Sequence, residues 1–91
     1  MTGSARAHPV SVDLPPGGLT IGRDRSSGLV IDDPLASRQH ARLDFTDGNW
    51  IVTDLNSRNG TLVNGVRVTR WTLAAGDQVQ IGDTVLVFQT G

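Results

Sequence analysis

The sequence predicts an all-β fold, an antiparallel β-sandwich of two packed sheets, and three observations carry that expectation. Apolar residues alternate with polar ones in short runs, and Gly, Pro, Asn and Asp interrupt the chain between them. No window of a dozen residues places apolar side chains at helical spacing, and 11 Gly and 4 Pro in 91 residues would break such a helix.

Taken in order, residues 1–9 are small or polar without periodicity and read as a flexible lead-in with no assigned function. Residues 10–91 read as one domain. Its strand signals are VSVDL, LTIGR, LVID, QHARLDF, NWIVTDL, TLVNGVRV, QVQI and TVLVFQ. Within TLVNGVRV, the segment Val63 to Val66 is a hairpin signal, because Asn64 and Gly65 tolerate the positive φ angles of a type I′ turn. The segment Ile81 to Thr84 is a second tight hairpin, with Gly82 at its first central position. Strands at this spacing with one apolar face close most economically as two sheets packed face to face. The expected core contains Ile21, Val30, Leu43, Ile51, Val52, Leu62, Val79, Ile81, Val85 and Val87.

Composition narrows the function. A chain of this length with 37% hydrophobic residues forms one core and buries a little over ~60% of its unfolded surface. Cysteine is absent, which removes disulfides and thiolate metal sites. No apolar run approaches the ~20 residues of a membrane span, so a cytoplasmic location is the default. The formal net charge is −1, every acid is Asp and every base is Arg. That balance argues against a broad nucleic-acid-binding face. Arginine is nevertheless the residue that grips phosphate or carboxylate bidentately.

The polar residues needing explanation fall between strands, at Gly22 to Asp24, Ser37 to His40 and Asn56 to Thr61. Loops at one end of a sandwich cluster, and a rigid scaffold with binding loops is a common division of labour. Pooled, the three segments offer Arg23, Arg38, Arg58, the hydroxyls of Ser37 and Ser57, the amide of Asn59 and backbone N–H groups near Gly60. Asp24 and Asp54 are the competing acids. A doubly ionised phosphate wants several donors and at least one guanidinium.

The segments IGRDRSSGLVIDDPLASRQHARL, DLNSRNGTLVNGVRV and LAAGDQVQIGDTVLVF resemble the forkhead-associated (FHA) domain, a phosphothreonine-peptide-binding module. The resemblance runs from about Leu19 to Phe88 and rests on the ordered set of a Gly-Arg pair, a Ser-Arg-x-His box, an Asn-Gly-Thr loop and a later Asn-Gly turn. It implies a sandwich of about ten to eleven short strands that binds a threonine-phosphorylated protein or peptide across the loops at one end, in Ser/Thr kinase signalling. Carried over residue by residue, it assigns phosphothreonine binding to Arg23, Ser37, Arg38, Ser57, Arg58 and Asn59. It assigns structural support of those loops to Gly22, His40, Gly60, Thr61, Asn64 and Gly65. In one respect the chain departs from the family: only HPVSVDLPPGG precedes LTIGR. Either VSVDL serves as the second strand with the first missing, or the first two are compressed. An unpaired edge would be a pairing template, so self-association through it is a second expectation.

Other chemistries fare worse. Ser37, His40 and Asp54 name a nucleophile, a base and an orienter, but residues three apart in an extended segment point to opposite faces, and no Gly-x-Ser-x-Gly elbow is present. Asp24, Asp32 and Asp33 do not form a calcium loop, neither His has a spaced zinc partner, and GRDRSSG lacks the Lys of a P-loop. No enzyme activity, metal or cofactor is expected. Arg42, Arg67 and Arg70 read as outward strand faces whose stems cover apolar surface. The alternative function is a phosphate-independent interaction or dimerisation domain using an exposed edge strand or sheet face.

Overall fold

A computed structural model describes residues 14–89. Nine strands appear among them: β1 Leu19–Gly22, β2 Leu29–Val30, β3 Ala41–Thr46, β4 Asn49–Asp54, β5 Thr61–Val63, β6 Val66–Val68, β7 Arg70–Thr72, β8 Gln78–Ile81 and β9 Thr84–Val87. They form a five-stranded sheet of order β2-β1-β3-β4-β7 and a four-stranded sheet of order β6-β5-β8-β9. All pairings are antiparallel except β1 with β2, which run parallel with Ile21 opposite Leu29. The sandwich expected from the sequence is therefore present, with one parallel pair in an otherwise antiparallel fold. The VSVDL strand and the missing-strand question fall mainly on residues 10–13, outside the described residues. Leu14, which is described, packs against the core without belonging to a strand.

The core lies between the sheets. Leu19, Ile21, Ala41, Leu43 and Val52 of the larger sheet meet Val63, Val79 and Ile81 of the smaller one, and Ile31, Ala36 and Leu73 from the connecting segments, with Phe88 just after β9, complete it. Strand parity explains each departure from the expected core. Val52 points inward, so Ile51 points away; Thr61 and Val63 point inward, so Leu62 does not. In the last strand Leu86 packs inward and Phe88 is buried beyond it, leaving Val85 on the outer face and Val87 half exposed. Val30 is likewise exposed, and its neighbour Ile31 takes the buried position.

Both expected hairpin turns form. Asn64 and Gly65 take φ of 51° and 84°, and Gly82 takes 63°. A third turn joins β3 to β4 through Asp47 and Gly48, at φ of 53° and 80°. These values place a left-handed pair at the centre of the hairpin, which Asp-Gly favours as strongly as Asn-Gly. β7 has no counterpart among the sequence signals. Arg70, Trp71 and Thr72 are all exposed and are held by edge pairing to Thr53, Val52 and Ile51.

Candidate functional site

The three polar segments meet at one end of the sandwich, as the strand directions require. β1 ends there at Gly22, β3 begins there at Ala41, β4 ends there at Asp54 and β5 begins there at Thr61. Backbone bonds draw the first two loops together beyond the regular β1–β3 ladder: Arg23 N–H donates to Ser37 O at 3.0 Å, and Asp24 N–H to Arg38 O at 3.1 Å. Gly22 is what allows this approach, because a Cβ there would lie 2.0 Å from the Arg38 carbonyl oxygen. The Arg23 side chain adds a bond from Nε to Ala36 O at 3.1 Å. That bond fixes the guanidinium by its inner edge and leaves its terminal nitrogens for a ligand.

Ser37 joins the second loop to the third. Its Oγ accepts the Arg58 backbone N–H at 3.0 Å, so the hydroxyl proton remains available to an anion. Asn59 Nδ2 donates to Leu35 O at 2.8 Å, a second tie between the same loops. Arg23, Arg38, Arg58 and Asn59 are exposed and Ser37 is half-buried. The predicted ligand residues are thus gathered at one end on loops held by hydrogen bonds.

Ser57 sits differently from the rest of that set. It is buried, its hydroxyl donates to Asp54 Oδ1, and its Oγ accepts the Gly60 N–H at 3.0 Å. Its one hydroxyl proton is committed inside its own loop. Thr61 Oγ1 donates to the same Asp54 oxygen at 2.8 Å, and Ser57 N–H to Asp54 Oδ2 at 3.1 Å. Partial burial is the strongest single influence on the Asp54 carboxyl and works against its charge. The hydroxyls of Ser57 and Thr61, with the Ser57 N–H, outweigh it and hold the group below its ordinary value. Asp24 is also held below the usual carboxylate range, chiefly by the Ser26 backbone N–H and then by the Ser26 hydroxyl. The two acids at this end therefore stay ionised and are occupied by donors of their own loops.

His40 is fully buried beneath this assembly. Its Nδ1 lies 3.0 Å from the Ser37 backbone N and its Nε2 lies 2.8 Å from Gly60 O. A backbone N–H can only donate, so Nδ1 is the unprotonated nitrogen, and Nε2–H donates to the carbonyl. One neutral imidazole thereby spans the two binding loops. The same bonds dispose of the triad arrangement: the ring nitrogens contact backbone groups, and Asp54 is bound by Ser57 and Thr61. Of the other support residues, Gly60 takes φ of 84° and Thr61 is buried at the start of β5. Asn64 and Gly65 lie at the opposite end of β5, where the Asn64 side chain donates to Asp77 and accepts the Gln78 N–H. They support the β5–β6 hairpin at a strand's length from the loop cluster.

The structure is thus a β-sandwich module that gathers exposed guanidiniums, the Ser37 hydroxyl and the Asn59 amide on loops at one end. The chain belongs to the forkhead-associated family: the FHA domain model matches residues 19–82. It is 48% identical over 79 residues, 87% of its length, to the ABC transporter ATP-binding/permease protein Rv1747 of Mycobacterium tuberculosis, of which it spans 9%. It is 46% identical over 70 residues, 77% of its length, to the glycogen accumulation regulator GarA of Mycolicibacterium smegmatis, of which it spans 44%. It therefore spans less than half of either relative. A structure solved for phosphothreonine-dependent FHA domain interactions superposes with a TM-score of 0.84 at 31% identity, covering 88% of this chain and 83% of that one. No helix among the described residues is long and apolar enough to cross a membrane.

Proposed function

We propose that this chain is a non-catalytic reader of phosphothreonine peptides in Ser/Thr kinase signalling, acting in the cytoplasm. Family membership supports the activity, and the observation that carries the residue assignment is the Ser37 junction. Arg23 and Arg58 are tied to it through their backbone N–H groups, and the Ser37 hydroxyl keeps a proton to donate. In this reading the guanidiniums of Arg23, Arg38 and Arg58 and the Ser37 hydroxyl take the phosphate, and Asn59 takes peptide backbone. Ser57 shapes the third loop with Asp54 and Thr61, and His40 and Gly60 brace it.

Each charge-assisted hydrogen bond contributes ~1.5–3 kcal/mol, and three or four of them, less the cost of association, give Kd values of micromolar order. The test is capture from an oriented phosphothreonine peptide library, run beside unphosphorylated and phosphoserine versions, by the intact chain and by Arg23→Ala. Selective capture by the intact chain and its loss in the variant is the expected result. Equal capture of the unphosphorylated library would favour a phosphate-independent interaction domain instead.

A further inference from the structure

Arg67 is a cation that neither the core nor the loop cluster uses. It pairs in register with Leu62, and since Thr61 and Val63 face the core, Arg67 lies on the outer face of the four-stranded sheet. Its side chain runs back along that face and rests on Gly60: a Cβ at Gly60 would meet Arg67 Nε at 2.6 Å, Cζ at 2.9 Å and Cδ at 3.1 Å. The terminal guanidinium nitrogens are farther off than these three nearest atoms. Gly60 itself is immobilised, its N–H by Ser57 and its carbonyl by His40. It directly follows Arg58 and Asn59, so the charge stands beside the third binding loop. Among the described residues the ion pair is Arg42 with Asp44, and Arg67 makes neither an ion pair nor a hydrogen bond.

We propose that Arg67 is a specificity-determining residue that reads a second anionic group, a carboxylate or a further phosphate, on the same phosphothreonine peptide. The proposal rests on the phosphothreonine reading above. Its physical basis is that the stem is parked on a rigid glycine while the guanidinium pairs with no acid among the described residues. An arginine serving only as cover for Leu62 would be indifferent to peptide charge.

The probe is a synthetic phosphothreonine peptide with alanine flanks, followed by versions with Asp at single positions up to about four residues either side, and one with a second phosphothreonine; binding is read by fluorescence anisotropy. For an exposed charge pair the expected gain at the favoured position is roughly two- to fivefold in Kd, shrinking as added salt shortens the screening length. Arg67→Gln should erase that gain and leave the alanine-flanked peptide unaffected, while Arg67→Lys should keep most of it. The Asp and second-phosphate peptides separate the two sources of charge. A gain that survives Arg67→Gln, or no gain at any position in the intact chain, overturns the role of Arg67 while the phosphothreonine reading stands. Failure of the folded, intact chain to bind the alanine-flanked peptide overturns both.

Discussion

At the scale of single residues the proposed reading divides the site into groups that face a ligand and groups that hold those in place, and substitutions should separate the two. On that reading Ser37→Ala removes a donor to phosphate as well as the acceptor for Arg58 N–H, so phosphopeptide affinity should fall on the order of tenfold or more with little change in Tm. Titration calorimetry beside thermal denaturation checks both halves. His40→Ala should do the opposite first, lowering stability. It strands the Ser37 N–H and the Gly60 carbonyl and opens a void, at about 2–4 kcal/mol or a Tm loss on the order of 10 °C or more. Proton linkage adds two pH effects of separate origin. Phosphate becomes a dianion with a second pKa of ~6, so binding should weaken from about pH 7 to 5. Asp54 titrates below its ordinary value of 3.8 when folded. A carboxyl with a lowered folded value gives its full stabilisation above the unfolded value and loses it as pH falls from there through the folded one. Unfolding followed from pH 6 to 2 should show that loss below about pH 4, with a shallower fall in Asp54→Asn.

At the scale of elements, the turns and the binding loops were legible because their chemistry is local. Asn64-Gly65 and Gly82 specify their hairpins by the φ angles they tolerate, and the Ser-Arg-x-His box encodes within four residues the bond from the Ser37 N–H to the His40 ring. Asp47-Gly48 carried the same kind of signal and joins two strands that the sequence had already marked. What depended on distant partners was not legible. β7 exists because β4 offers an edge, and the Arg67 side chain comes to Gly60 only once β5 and β6 are paired. Runs such as TVLVF have apolar residues at successive positions, so alternation cannot say which parity is buried: the pattern points to Val85 and Val87, and the structure packs Leu86 against the core and buries Phe88. Asp33 is another long-range contact. Buried in the β2–β3 segment, it accepts the Leu35 N–H, the Asp83 N–H and the Thr84 hydroxyl, tying a binding loop to the β8–β9 hairpin of the other sheet. Asp33→Ala leaves those donors short of an acceptor, at about 1–3 kcal/mol each where they stay buried. Hydrogen exchange at Leu35 and Asp83 should accelerate together, and acceleration at only one of them would deny the coupling.

At the scale of the whole molecule, the sandwich acts as a frame that brings loops from both sheets to one end. A ligand that binds only the folded frame stabilises it by about 2.7 kcal/mol at one hundred times Kd, so phosphothreonine peptide should raise Tm and its unphosphorylated twin should not. The cross-loop bonds from Arg58 to Ser37, Asn59 to Leu35 and His40 to Gly60 tie the binding loops to one another within the protein itself. That has a consequence in time. For a reader whose loops are tied by their own bonds, association at an ordinary ~10⁶–10⁷ per molar per second with micromolar affinity implies that the complex dissociates within about a second. Such a reader samples the phosphorylation state of its partner almost as fast as kinases and phosphatases change it, and holds no record of a mark once the mark is gone.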